Sequence, residues 1–178
     1  MKLAKVFKEN KQFTLFSILA LVVVGVAVFA PQIAPYDPLD AVMLESLQAP
    51  SSAHPFGTDK LGRDLLSRVI FGTRTSLIMT LCLVAVIFVI GTFLGVIAGY
   101  FGGIVDGVIM RIADMMISFP GLVLAIAIAG MLGPNLVNAV ISIAAVSWTK
   151  YARLARSMVL KVKKSLYIEA AVVNGTKT

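Results

Sequence analysis

Residues 75–105 read TSLIMTLCLVAVIFVIGTFLGVIAGYFGGIV and contain no Asp, Glu, Lys or Arg. A helix needs about 20 apolar residues to cross the roughly 30 Å hydrocarbon core of a bilayer, so this segment is long enough to span it. Two further segments, residues 12–36 and 115–149, are equally free of charge. The chain is therefore predicted to be a membrane protein that crosses the bilayer several times.

The third charge-free segment is too long for a single crossing. As a helix its 35 residues would extend about 52 Å at 1.5 Å per residue, well beyond the hydrocarbon core. Gly133-Pro134-Asn135 near its middle is a turn signal, and we divide the segment there. The predicted fold class is all-α, a polytopic membrane helix bundle. Its four predicted transmembrane helices lie approximately at residues 13–31, 76–99, 109–132 and 136–154.

The composition excludes a soluble globular protein. Of the 178 residues, 58% are apolar and 14% are charged, and the mean hydropathy is +0.92. Soluble proteins average about 45–50% apolar and about 25% charged residues. Disorder is excluded for the same reason, since so apolar a chain does not stay solvated. The single cysteine, Cys82, rules out a disulfide framework and a thiolate metal cluster.

The net charge of +7 is explained by membrane topology rather than by nucleic acid. With both termini inside, the inner segments hold twelve Lys or Arg residues and the outer segments hold four. This bias follows the positive-inside rule and predicts cytoplasmic termini. No basic patch alternates with aromatic residues, so no nucleic-acid partner is expected. A cleaved signal peptide is the alternative for the first span, but its apolar region is longer than the usual stretch of about 7–15 residues.

The outer segment between the first two spans, residues 35–75, changes character at His54. From Lys60 onward its apolar residues fall on one helical face, and three opposite-charge pairs have a spacing of four residues. The pairs are Asp59 with Arg63, Lys60 with Asp64, and Asp64 with Arg68. We expect an amphipathic helix capped by Thr58 or Asp59, on the outer membrane surface or against the bundle. His54, the only histidine, has no evident carboxylate cluster and is interpreted as a loop residue rather than a metal ligand.

Four glycines in and after the second span are four residues apart: Gly91, Gly95, Gly99 and Gly103. Small residues at this spacing form a groove in which a neighbouring helix backbone approaches closely. We expect this face to pack against protein. The alternative is that glycine is simply common in membrane helices.

Charged residues flank the start of the third span. Arg111 and Asp114 are three residues apart on one helical face, and Asp106 precedes them. Ionisable residues in a membrane often line a pathway. Because these three lie near the cytoplasmic end, we favour a structural ion pair between Arg111 and Asp114 over a transport site. Pro120 is expected to kink the helix by removing a backbone donor.

The C-terminal residues outline a short cytoplasmic helix after the basic segment that ends at Lys164. Ser165 is a candidate N-cap, and Gly175 is a natural residue to follow the last turn, so the helix is predicted at residues 166–174. Ala170 and Ala171 make this helix slim enough to enter a groove on another protein.

Three motifs together resemble the inner-membrane permease subunits of binding-protein-dependent ABC importers for oligopeptides, dipeptides and nickel. The first is HPFGTDKLGRDLLSR at residues 54–68, similar to the outer segment before the family's second span. The second is GYFGGIVD at residues 99–106, followed by MRIAD at 110–114 and Phe119-Pro120. The third is EAAVVNG at residues 169–175, similar to the E-A-A-x-x-x-G signature of the cytoplasmic coupling loop.

The resemblance implies a six-helix type I importer fold in a bacterial or archaeal cytoplasmic membrane. In the family, a coupling helix sits in a cleft of a cytoplasmic ATPase, and closure of two ATPases rocks two permease subunits between inward- and outward-open states. The implied partners are a second homologous permease subunit, two ABC ATPases, an extracytoplasmic binding protein and membrane lipid. Carried over residue by residue, the implied ATPase contacts are Glu169, Ala170, Ala171 and Gly175.

The chain itself is not expected to be an enzyme or to hold a cofactor. It has no G-x-x-x-x-G-K-[ST] loop, so ATP hydrolysis would belong to partner subunits. Two alternatives remain: a small membrane assembly or regulatory protein that does not transport, and a channel. Peptide and nickel permeases share these motifs, and the choice between the two substrates stays open.

The predicted spans, together with the resemblance, divide the chain into five predicted segments. Residues 1–12 form a cytoplasmic tail, 13–34 the first span, 35–75 the extracytoplasmic segment, 76–164 spans two to four, and 165–178 the start of the coupling loop. Family members continue to an I-x-L-P element and two more spans, whereas this chain stops at Thr178. We expect either a fragment of a longer subunit or missing helices supplied by another chain.

Overall fold

A computed structural model describes residues 10–175, without the side chains of Glu169 and Val172. This part of the chain contains seven α-helices, one 3-10 turn and no β-strand, which confirms the all-α fold class. The predicted tail at residues 1–12 lies almost entirely outside the described residues. The helices are α1 Lys11–Val28, α2 Ala30–Ile33, α3 Leu65–Phe101, α4 Gly103–Ser118, α5 Gly121–Leu132, α6 Leu136–Lys163 and α7 Leu166–Val173, and the 3-10 turn is Met43–Glu45.

Two helices, α1 and α3, are long and apolar enough to cross a membrane. The third predicted span is divided into α4 and α5, which bend by 92° and would count as one broken span or as a re-entrant loop. The break occurs at Phe119-Pro120, where Phe119 has extended φ and ψ angles of −89° and 147°. A proline disfavours the α conformation of the residue before it, so the expected kink is a complete interruption.

The fourth predicted span lies within α6. In length and composition α6 does not qualify as a span by itself, because polar and basic residues interrupt its apolar run. Asn135 caps its start, where the Val137 N–H donates to the Asn135 side chain at 2.9 Å. The described residues therefore provide two or three candidate spans rather than the four that we predicted.

The chain divides into two compact units, Met1–Ile78 and Met79–Thr178, and each is described by itself below. Helix α3 runs without interruption for 37 residues, so the amphipathic outer helix and the second predicted span are one element. At 1.5 Å per residue it is about 55 Å long, and even a 40° tilt leaves about 42 Å along the membrane normal. A helix of this length that crosses a bilayer extends beyond the roughly 30 Å hydrocarbon core.

In the first unit, α3 begins at Leu65, five residues later than the amphipathic pattern predicted. Asp64 caps it: the Ser67 N–H donates to Asp64 Oδ2 at 2.7 Å, and the Arg68 N–H donates to the Asp64 carbonyl at 3.2 Å. The prediction that Thr58 or Asp59 caps this helix was therefore wrong. Burial of Asp64 opposes its ionisation, but hydrogen bonds from Ser67 and His54 outweigh it, so its pKa lies below the usual value.

Residues 59–64 form a turn instead of helix because the Asp59 carboxylate accepts local backbone donors. The N–H groups of Leu61 and Arg63 donate to Asp59 Oδ1 at 2.8 and 3.1 Å. Gly62 has a φ of +76°, and a Cβ there would lie 1.8 Å from the Val42 carbonyl oxygen, so only glycine fits this turn.

Of the three predicted charge pairs in this segment, one forms. Arg63 Nη2 lies 2.7 Å from Asp59 Oδ2, and Arg68 contacts the same carboxylate oxygen. The hydrogen bond from Arg63 holds the pKa of Asp59 well below its usual range. The predicted pairs of Asp64 with Lys60 and with Arg68 do not form, because Asp64 is turned towards His54.

His54 lies between two carboxylates and is only 6% exposed. Its Nδ1 is 3.0 Å from Asp64 Oδ1, its Nε2 is 3.4 Å from Glu45 Oε2, and the Tyr36 ring stacks on it with centroids 4.9 Å apart. Sequence reasoning placed no carboxylate cluster around His54, whereas the fold brings two carboxylates to it from residues nine or ten positions away. The two carboxylates contact opposite nitrogens of the His54 ring. They therefore orient the ring, and their oxygens do not converge on a common point.

Candidate coupling site

The second unit is organised around α6, and α3 packs against it through glycines. A Cβ on Gly91 would lie 2.6 Å from the Trp148 carbonyl oxygen, and one on Gly95 would lie 2.2 Å from that of Ala152. On Gly99 it would meet Val159 at 2.8 Å. These distances leave no room for a side chain, so the two backbones lie in direct contact along this face.

Gly103 does not belong to this contact surface. Helix α3 ends at Phe101, and Gly102 and Gly103 have φ angles of +65° and +52°. Nothing lies within 4 Å of a Cβ placed on Gly103. Three of the four predicted packing glycines thus face α6, while Gly103 starts α4 after a break that its positive φ requires.

Two acidic residues of α4 pair with two arginines of α6. Arg156 holds Asp106 through two bonds, Nε to Oδ1 and Nη2 to Oδ2, each of 2.5 Å. Arg153 contacts Asp114. A bidentate pair of this kind fixes orientation as well as distance.

These contacts correct the predicted pair of Arg111 with Asp114. Among the side chains that the structure describes, Arg111 forms no ion pair. A spacing of three residues allows a contact along one helix, but the arginines of α6 reach the acids of α4 across the helix interface. Sequence reasoning missed Arg153 and Arg156 as partners, although their three-residue spacing places both on one face of α6.

A lysine at the end of α6 reaches back to the end of α3. Lys163 Nζ donates to the Tyr100 carbonyl at 2.7 Å and lies 5.5 Å from the centre of the Tyr100 ring. Carbonyls in the last turn of a helix lack intrahelical donors and carry partial negative charge, so a cation is favoured there. This contact was also missed by sequence reasoning.

A cavity of about 320 Å³ lies where the bend between α4 and α5 faces α6. Its walls are mainly apolar, with polar groups contributed by α6. Its lining includes Phe119, Leu122, Ala125, Val146, Ser147 and Lys150.

Helix α7 follows α6 after two residues and carries the predicted coupling positions. It spans Leu166–Val173, close to the predicted 166–174, and Gly175 beyond it has a φ of +88°. Ser165 directly precedes α7 as predicted, and its carbonyl accepts from the Ile168 N–H at 3.0 Å, while its hydroxyl donates to the Val162 carbonyl at 2.5 Å.

On α7, Ala170 is exposed and Ala171 is half-buried. The backbone of Glu169 lies in the helix, whereas its side chain lies outside the described part of the structure. Leu166, Tyr167 and Val173 expose most of their surface. A short, largely exposed apolar helix at this place presents a surface that a protein groove can cover.

Comparison with known proteins identifies the family. Residues 91–178 match the family model described as binding-protein-dependent transport system inner membrane component. Residues 2–50 match the N-terminal TM domain of oligopeptide transport permease C. The chain belongs to this family of inner-membrane permeases. The motifs at residues 99–106, 110–114 and 169–175 all fall inside the first match.

Individual permeases match along most of this chain. It is 38% identical to a dipeptide transport system permease protein of Haemophilus influenzae over 175 residues, which are 95% of this chain and 59% of that protein. It is 42% identical to a glutathione transport system permease protein of Pectobacterium atrosepticum, over 85% of this chain and 50% of that one. It is 38% identical to a nickel transport system permease protein of Escherichia coli K12, over 79% of this chain and 51% of that protein.

The chain thus spans between 50% and 59% of the length of these three relatives. The names of these relatives describe them as permease proteins of transport systems.

Proposed function

We propose that the chain forms the permease part of an ABC importer that moves short peptides or nickel across the cytoplasmic membrane. The observation that carries this proposal is α7, a short exposed helix that follows α6 after two residues and carries the E-A-A of the E-A-A-x-x-x-G pattern. The names of the relatives, which include dipeptide, glutathione and nickel permeases, support both substrate classes.

The proposed partners are a second homologous permease subunit, two cytoplasmic ABC ATPases, an extracytoplasmic substrate-binding protein and membrane lipid. Glu169, Ala170, Ala171 and Gly175 would contact the ATPase. The chain would cross a bacterial or archaeal membrane several times as part of a six-helix type I fold, with both termini in the cytoplasm. The excess of basic residues in the inner segments supports this orientation.

The proposal is tested by co-purification of the ATPase with the subunit and its charge-reversal variant Glu169→Lys. We expect the parent to retain the ATPase and Glu169→Lys to lose it, because the variant places a cation in the proposed contact. Ala170→Trp, which widens the slim face of α7, should have the same effect. Asp40→Lys is the matched control: it reverses an exposed carboxylate in the outer segment and should leave the ATPase bound.

If the parent retains no ATPase, or if the ATPase stays bound in both α7 variants, the assignment of α7 as the coupling helix is wrong. An assembly or regulatory protein would then be the better interpretation. In an importer that passes this test, uptake of a labelled dipeptide and of nickel, each with the other as competitor, identifies the substrate class.

A further inference from the structure

The break between α3 and α4 is held from two sides by one helix. Lys163 at the end of α6 donates to the Tyr100 carbonyl in the last turn of α3. Arg156, two turns earlier on α6, holds Asp106 in the first turn of α4. Only Gly102 separates the two helices, so both contacts lie within a few residues of the same flexible point.

The pair of Arg156 with Asp106 is better shielded from solvent than the second pair on the same interface. The side chains of Arg156 and Asp106 are 34% and 18% exposed, against 46% and 58% for Arg153 and Asp114. Ion pairs with less solvent around them are screened less, and a bidentate pair restrains orientation as well as distance. The first pair is therefore the stiffer of the two connections between α4 and α6.

Helix α7 is connected to this arrangement by a very short link. Lys163 is the last residue of α6, and only Lys164 and Ser165 precede α7. The Lys164 N–H donates to the Leu160 carbonyl at 3.3 Å, and the Ile168 N–H donates to the Ser165 carbonyl at 3.0 Å. A displacement of α7 therefore acts first on the end of α6 that carries Lys163.

We propose that Asp106, Arg156 and Lys163 are positioning residues that transmit displacement of α7 to the break between α3 and α4. Their contacts determine how much substrate is moved for each ATP hydrolysed, and not whether the ATPase binds. This inference rests on the proposed function, in which α7 contacts an ATPase.

The test compares Asp106→Asn and Lys163→Met with the control Asp114→Asn in the assembled importer. Three quantities are measured: the ATPase that co-purifies, ATP hydrolysis stimulated by the substrate-loaded binding protein, and uptake. We expect Asp106→Asn and Lys163→Met to keep the ATPase bound and hydrolysing at near the parent rate. Uptake per ATP should fall about tenfold or more in Asp106→Asn, the factor that corresponds to losing one charge-assisted hydrogen bond. It should fall by a smaller factor in Lys163→Met, whose contact is exposed. Asp114→Asn should change this ratio by less than about twofold, as expected for an exposed pair.

Exchanging the charges of Asp106 and Arg156 distinguishes a loss of transmission from a loss of folding. Asp106→Arg and Arg156→Asp should each lower uptake per ATP, and the double variant should restore part of it. Lys163→Arg should remain near the parent ratio, because it keeps a cation at the end of α3. If Asp106→Asn is absent from membranes, Lys163→Met decides the question, since its side chain is exposed and the methionine keeps the apolar stem.

The inference is overturned if ATP hydrolysis and uptake fall in parallel in Asp106→Asn and Lys163→Met. It is overturned as well if Asp114→Asn lowers uptake per ATP as strongly as Asp106→Asn. It is also overturned if Lys163→Met has the parent ratio. Absence of the ATPase from the parent complex is a different result, which contradicts the proposed function itself.

Discussion

Gly95→Ala is expected to force α3 and α6 apart at the centre of their contact. The new Cβ would lie 2.2 Å from the Ala152 carbonyl oxygen and 2.8 Å from the Ala155 Cβ. Ordinary contacts of a Cβ begin at 3.4 Å, so the backbones must separate by about 1.2 Å at this point, the difference between 3.4 and 2.2 Å. No change of rotamer relieves this clash, because the nearest atom belongs to the backbone.

The size of the destabilisation by Gly95→Ala follows from a comparison with Gly72→Ala on the same helix. Nothing lies within 4 Å of a Cβ on Gly72, so that variant gains only the helix propensity of alanine, about 1 kcal/mol. Gly95→Ala gains the same propensity but adds the overpacking term of about 1–3 kcal/mol. The free energy of unfolding of Gly95→Ala should therefore be lower than that of Gly72→Ala by about 1–3 kcal/mol.

Thermal unfolding in detergent, followed by tryptophan fluorescence, measures this difference. Trp148 is the only tryptophan, and its carbonyl oxygen lies 2.6 Å from the Cβ position of Gly91, one turn from Gly95 on the same face. We expect the midpoint of Gly95→Ala to lie roughly 2–12 °C below that of Gly72→Ala, from 2–4 °C per kcal/mol for a chain of this size. Equal midpoints would refute the close contact between α3 and α6.

Two further predictions concern the outer segment. Asp64→Ala should destabilise the start of α3 by about 0.5–2 kcal/mol through loss of the cap, whereas Asp64→Asn keeps a capping oxygen. Amide exchange at Ser67, whose N–H donates to Asp64, measures the difference, and equal protection in the two variants would contradict it. Because the pKa of Asp59 is lowered by folding, its carboxylate stabilises the turn fully above about pH 5 and progressively less below about pH 4. The difference in Leu61 amide protection between the parent and Asp59→Asn should therefore shrink on acidification. An increase of that difference on acidification would contradict the prediction.

The sequence predicted features that depend on neighbouring residues. Residues 75–101 are helical because an apolar backbone in a membrane must satisfy its hydrogen bonds within the segment. The break at Gly133-Pro134-Asn135 and the short helix near residues 166–174 follow from local backbone preferences. In each case the signal and the structure it produces lie within a few residues of each other.

The sequence predicted one local charge pair, Asp59 with Arg63, but not the charge pairs between helices. Asp106 and Arg156 are 50 residues apart, and Asp114 and Arg153 are 39 apart. Spacing along one helix suggested Arg111 as a partner of Asp114, because only local contacts can be counted in a sequence. The start of α3 was misplaced for a related reason: Asp59 and Asp64 use their carboxylates for a turn and a cap, which charge spacing alone does not reveal.

The sequence by itself therefore determined that this chain is a membrane protein built of helices, with a glycine face on α3 and a small-residue pattern on α7. Its apolar runs and periodic small residues encode these features directly. Only the tertiary structure decided that α6 contacts both α3 and α4, through the glycines of α3 and through Arg156 and Lys163. It also decided that His54 lies between two carboxylates. The physical reason is that such contacts depend on the relative placement of distant segments, which packing of the whole unit determines.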